Sequence, residues 1–128
     1  MPYTRIETRR GWIGDRRQAV VEAVQRALCT GLLIPETDRC VFLNEYDADA
    51  MIAPPGRGPS YMVIAITLFS GRSPDAKRRL YRALVDELAE FGVPATDVKT
   101  VLVEAPRGDW GFRGLPGGEV ELRFKVEV

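Results

Sequence analysis

Apolar positions along the chain alternate between short extended runs and helical stripes, and the sequence strand, helix, strand occurs twice. Ala19, Val20, Ala23, Val24, Ala27 and Leu28 recur at helical spacing, with Gly31 expected just past the helix end. Leu80, Leu84, Leu88 and Phe91 form the matching stripe of the second half, closed by Gly92. Ser73-Pro74-Asp75 opens that stripe with a capping hydroxyl, a proline at the first helical position and a carboxylate near the positive helix end. Residues 61–69 are almost continuously apolar, as a strand covered on both faces would be. Residues 2–8 read as a short polar strand, and residues 39–45 and 98–104 as the strands that close each half.

The two halves are copies. Pro35-Glu36-Thr37-Asp38 followed by an apolar run ending in Glu45 reappears as Pro94-Ala95-Thr96-Asp97 followed by a run ending in Glu104. The offset from Pro35 to Pro94 is 59 residues, and moving Tyr61 back by it lands on Pro2. Each strand–helix–strand unit pairs its strands in parallel through a right-handed crossover. Two units side by side predict an α+β, two-layer fold: a four-stranded sheet with both helices on one face. The expected organisation is a single domain over residues 1–128, with pseudo-repeats at about 2–46 and 61–105 and a C-terminal arm at 106–128. Residues 47–60, rich in proline and glycine, read as a linker. The uncovered sheet face is expected to pack on other subunits.

The end of the chain carries a strict alternation. Val120, Leu122, Phe124, Val126 and Val128 interleave with Glu121, Arg123, Lys125 and Glu127, the pattern of a half-buried strand. Such a strand either adds to a neighbouring subunit's sheet or closes its own.

Composition narrows the function classes. Lysine plus arginine and aspartate plus glutamate are each 18 in a chain of 128 residues, so no basic excess points to nucleic acid. No apolar run is long enough to span a bilayer, and the start lacks a signal-peptide core, so a cytoplasmic protein is expected. Cys29 and Cys40 lack metal spacing and read as buried, reduced thiols. The chain has no histidine, which removes the usual acid–base side chain near neutral pH. A free α-amino group, with an ordinary pKa of about 7.7–8.0, is an alternative.

Pro2 follows Met1, and removal of methionine before proline leaves a secondary amine at the chain start. Such an amine acts as a base if cations or a dry pocket depress its pKa. Arg72, between the central strand and the Ser73 cap, presents a guanidinium that can fork onto a carboxylate beside a positive helix end. Asp38 and Asp97 precede the closing strands. Asp97 reads as a turn residue, whereas Asp38 is also placed to face Pro2. Trp110 and Phe112, in a glycine-rich loop, either wall a pocket or plug the core.

These residues resemble the tautomerase superfamily, which includes 4-oxalocrotonate tautomerase and malonate semialdehyde decarboxylase. Gly71-Arg72-Ser73 through Lys77 is similar to the segment that opens the family's helix and carries its substrate-binding arginine. The stretch from Glu104 to Gly114, with Trp110 and Phe112, is similar to the aromatic-glycine segment beside the active site. Pro2 aligns with the catalytic amino-terminal proline. Asp38 falls where the decarboxylase subgroup has an aspartate that activates water or orients substrate. The resemblance implies a homotrimer acting on a small carboxylate without metal or cofactor. Three positions depart from the pattern: Ser70 stands where the decarboxylase has a second arginine, and Cys40 and Lys99 where short tautomerases have one.

Three functions follow as expectations. One is keto–enol tautomerisation of a small 2-oxo acid, with catalytic Pro2, Arg72 and Asp38, and with Arg72, Trp110 and Phe112 binding substrate. Another is hydration or decarboxylation of a 3-oxo acid, using Asp38 and a protonated Pro2. The last is a trimeric binding protein that keeps the fold without activity.

Overall fold

The computed structural model describes residues 1–128. The first unit comprises β1 (Pro2–Arg9), α1 (Arg17–Leu32) and β2 (Val41–Tyr46). The second comprises β3 (Met62–Phe69), α2 (Pro74–Ala89) and β4 (Val98–Ala105). A small hairpin of β5 (Gly111–Phe112) and β6 (Leu115–Pro116) follows. The main sheet runs β2-β1-β3-β4. Each unit pairs its own strands in parallel, and the units meet through an antiparallel β1–β3 ladder that sets Pro2 opposite Leu68 and Thr8 opposite Met62.

One face of this sheet holds the core. Ile6, Ile64, Ile66 and Leu68 point toward Val24 and Leu28 of α1 and Leu84 and Leu88 of α2 in one continuous cluster. Each such side chain contributes about 1.5–3 kcal/mol by leaving water. The α2 start forms as the sequence predicts: Ser73 Oγ accepts from the Ala76 amide at 3.0 Å, with Pro74 at the first turn.

The end of α1 differs from expectation. Gly31 lies inside the helix, and Leu33 takes the left-handed cap conformation at φ 55°. The glycine serves packing: a Cβ there would sit 2.5 Å from the Leu80 Cα, so its absence lets the two helices touch backbone to backbone.

The other sheet face is uncovered in the single chain. Phe42 is 50% and Val103 51% exposed, with Tyr3 packed against Phe42 at 5.5 Å between ring centroids. No helix is long and apolar enough to cross a membrane. Cys29 and Cys40 are free, but half-buried rather than fully buried, and burial raises the Cys29 thiol above its ordinary pKa.

The C-terminal alternation does not form a strand in this chain. Residues 120–128 join no ladder; Val120 O accepts from Arg107 Nη2 at 3.2 Å, and at the far end the Ser73 amide of the turn before α2 donates to Val128 O at 3.1 Å. The alternation survives as burial, with Val120, Leu122, Phe124, Val126 and Val128 half-buried and the charged residues between them exposed. The apolar side chains lie along the domain, which satisfies their pattern without a partner strand.

Candidate active site

The antiparallel β1–β3 pairing delivers the start of β1 to the end of β3. Pro2 is buried opposite Leu68, and Arg72 sits in the turn that follows Phe69. Asp38 arrives from the other side, in the turn before β2, where its amide donates to Pro35 O at 3.0 Å. Gln25 of α1, 3% exposed, donates from Nε2 to Asp38 O at 3.1 Å and fixes that turn. The Met1 amine is ion-paired to Asp38 Oδ2, and the carboxylate side chain is only 10% exposed.

Arg72 is 5% exposed. Its Nη1 donates to Leu32 O at 2.7 Å and to Lys125 O at 3.4 Å, and its guanidinium carbon lies 5.6 Å from the Phe124 ring centroid. Nε and Nη2 have no partner. Buried donors left unpaired cost roughly 1–3 kcal/mol each, so this side chain is set up for an acceptor.

The charges at this end interact. Burial lowers the amine pKa most; the Asp38 hydrogen bond and charge pull it back up, and Arg72 pushes it down further. Burial likewise lowers Arg72 below its ordinary pKa, opposed by Asp38. Amine, carboxylate and guanidinium therefore form one electrostatic group.

A cleft of about 460 Å³ opens beside them, lined among others by Met1, Thr37, Asp38, Phe112, Leu122 and Phe124. Trp110 stands behind this wall rather than in it. Its ring stacks on Phe112 at 6.1 Å and 16°, meets Phe69 edge-on at 5.1 Å, and its N–H donates to Ala105 O at 3.3 Å. A larger cavity of about 800 Å³ lies on the open sheet face, lined by Tyr46, Tyr61 and Lys99, and contains none of the candidate residues. Volume alone would choose that cavity; the Met1 amine and Asp38 choose the smaller cleft, whose lining includes neither Pro2 nor Arg72, the latter lying under the Phe124 ring.

The second half repeats the arrangement in closed form. Asp97, 1% exposed, accepts from Ser60 Oγ at 2.7 Å and from the Gly58 amide at 2.9 Å. At the repeat offset Ser60 corresponds to Met1 and Asp97 to Asp38. One aspartate meets the start of the chain, and its copy meets a linker that cannot be removed. The position matching Arg72 is Ile13, 1% exposed and in the core. Only the first aspartate therefore has a cationic group to work with.

Gln25, Leu122 and Phe124 were not expected at this site. Phe124 carried a signal, since a terminal apolar stripe must cover something; Gln25 carried none, because its contact depends on how α1 packs. Lys77 Nζ and Glu104 Oε1, 3.0 Å apart, tie together the two segments that carry the resemblance.

The chain is similar to FG41 malonate semialdehyde decarboxylase, solved with the inhibitor 3-bromopropiolate. The two are 30% identical with a TM-score of 0.80, over 94% of this chain and 98% of that one. A second malonate semialdehyde decarboxylase is 21% identical with a TM-score of 0.79, over 86% of this chain and 89% of that one. Native fused 4-OT is 22% identical with a TM-score of 0.81, over 91% and 96% respectively. These two share the fold. The family described as "Tautomerase enzyme" matches residues 38–113, a span that holds Asp38, Arg72, Trp110 and Phe112. With more than half its length matched in this way, the chain belongs to the tautomerase family.

Proposed function

We propose that this protein is a cofactor-independent isomerase that moves a proton between carbon and oxygen in a small 2-oxo acid or its enol. The carrying observation is the start of the chain lying between a carboxylate and a buried arginine with two unpartnered nitrogens. Removal of Met1 puts a secondary amine at Pro2. Burial and Arg72 disfavour its protonated form, so the neutral amine takes a proton from one substrate atom and returns it to another. Arg72 holds the substrate carboxylate through Nε and Nη2 and stabilises charge that develops on the enolate oxygen. Phe112 forms the apolar wall, and Trp110 holds Phe112 in place from behind. Asp38 orients the amine.

A second reading is favoured by the direct Asp38–amine contact. A carboxylate beside the amine raises its pKa, and a protonated Pro2 with Asp38 as water activator suits hydration or decarboxylation of a 3-oxo acid. The relative at 30% identity is a malonate semialdehyde decarboxylase, which supports keeping this reading. In both, the working unit is a homotrimer in the cytoplasm. The apolar open sheet face supports the assembly, and fused 4-OT relatives have been solved as symmetric and asymmetric trimers.

The test is turnover by protein whose mass shows loss of Met1. Such protein is expected to ketonise the enol of phenylpyruvate, and Pro2→Ala is expected to slow this by a factor on the order of a thousand or more. Turnover of malonate semialdehyde without enol ketonisation would select the second reading. No turnover of any 2-oxo or 3-oxo acid would leave a binding protein.

A further inference from the structure

The contacts of the C-terminal segment converge on one turn. The Phe124 ring lies over Arg72 at 5.6 Å, and Lys125 O accepts from Arg72 Nη1 at 3.4 Å. Val128 O accepts from the Ser73 amide at 3.1 Å. A Cβ on Gly71 would lie 3.4 Å from Val126 Cγ1. Residues 124–128 therefore lie along this turn and cover Arg72, while Ser73 is half-buried and Gly71 stays exposed. No strand ladder holds the cover in place. Beneath it Arg72 is 5% exposed, yet Nε and Nη2 remain without partners. Native interiors seldom bury donors unpaired, and exceptions call for an explanation.

We propose that residues 122–126 form a gate over Arg72, closed by Phe124, and that a small carboxylate reaches Nε and Nη2 only when this segment lifts. The inference rests on Arg72 being the carboxylate anchor of the proposed function. A segment that joins no sheet and is held by half-buried side chains and a few hydrogen bonds opens locally at lower free energy than the sheet beneath it. The closed gate keeps water from the guanidinium in the resting protein, and the aromatic face tolerates the positive charge through its π electrons. Opening exchanges Phe124 and the Lys125 carbonyl for a carboxylate that pairs with both free nitrogens. Leu122 and Phe124 also line the cleft, so one movement changes both the anchor and the wall.

The experiment follows arginine modification by phenylglyoxal in the full chain, with peptide mass mapping and exposed Arg57 as the internal reference. In the wild type, Arg72 is expected to react on the order of tenfold more slowly than Arg57. Phe124→Ala is expected to raise the Arg72 rate severalfold with Arg57 unchanged. Val126→Ala, which trims the same segment beside Gly71, serves the same purpose if Phe124→Ala disturbs folding. Pyruvate is expected to protect Arg72 once the gate is opened by mutation. Equal Arg57 and Arg72 rates in the wild type overturn the gate, as does an unchanged Arg72 rate in folded variants. Either result leaves the anchor reading intact. Faster modification without protection by pyruvate instead overturns the anchor, and with it the purpose of the gate.

Discussion

Pro2 sits opposite Leu68 in the antiparallel ladder that joins the two units, and this pairing brings the amino terminus to Arg72. The two residues lie far apart in sequence and on different copies of the repeat. A parallel arrangement of the two central strands would have carried Pro2 to the other end of β3, away from the turn. The polarity of one pair of strands thus decides whether a site exists at all.

The packing of the helices gives the first prediction. Gly31 faces the Leu80 backbone closely enough that a Cβ would lie 2.5 Å from its Cα. Backbone cannot move aside as a flexible side chain does, so α1 and α2 must separate. Gly31→Ala is expected to cost about 1–3 kcal/mol or more, opposite to the usual gain from alanine in a helix. Thermal unfolding of the variant checks this, and unchanged or raised stability would refute the packing role.

The paired aspartates give the second. Asp97 satisfies two groups of a fixed linker, Ser60 Oγ and the Gly58 amide. Asp97→Ala leaves the buried Ser60 hydroxyl and the partly buried Gly58 amide unpaired, a loss of roughly 1–3 kcal/mol from the buried group. Asp38 meets a chain terminus that can turn to water instead, so Asp38→Ala is expected to cost much less stability and more activity. Denaturant unfolding of both variants, set beside their turnover, tests the split. Equal stability losses would count against it.

Much of this was legible in the sequence because it follows from repetition. The offset from Pro35 to Pro94 fixes two equivalent units, and from that follow the sheet and the closeness of Pro2 to the end of β3. The Ser73 cap was readable for a local reason, since its hydroxyl satisfies an amide of its own turn. Gly31 was misjudged because a glycine near a helix end has two uses, and only the position of Leu80 tells them apart. The C-terminal alternation reports one buried side, not a paired backbone: in the single chain that side lies along the domain, and its addition to a neighbouring subunit's sheet stays an expectation. Trp110 and Phe112 could not be separated in advance: which ring faces the cleft depends on the β5–β6 hairpin and on Gly117 just after it, which packs against the Arg107 carbonyl too tightly for any Cβ.

The uncovered sheet face gives the third prediction. Phe42 and Val103 project from it and are each about half exposed, Phe42 at 50% and Val103 at 51%. If this face is the centre of a homotrimer, a charge placed there must be buried without a partner on assembly. Val103→Arg is expected to shift sedimentation from trimer toward monomer at micromolar concentration, while surface Arg57→Ala leaves it unchanged. A wild type that sediments as a monomer would remove the assembly proposal outright.

The last prediction concerns protons. Burial lowers the terminal amine's pKa most, Asp38 opposes this, and Arg72 reinforces it. A cation whose folded pKa lies below its unfolded value makes the unfolded state bind more protons between the two. Stability therefore rises with pH from the folded pKa up to about 8, the unfolded value, and this contribution is flat above it. The prediction is that the same neighbours act on the Pro2 nitrogen once Met1 is gone. If neutral Pro2 is the base, kcat/KM rises with pH along a limb set by that amine, below the ordinary amine range. Asp38→Asn removes the opposing charge and leaves only a neutral acceptor, so the limb moves to lower pH. Arg72→Ala removes a cation that disfavours protonation, so the residual activity rises at higher pH. The two shifts have opposite signs, which no general loss of structure would produce. Limbs that move together would refute this electrostatic account, whereas a rate that falls as pH rises through this range would require the protonated amine, as hydration or decarboxylation does.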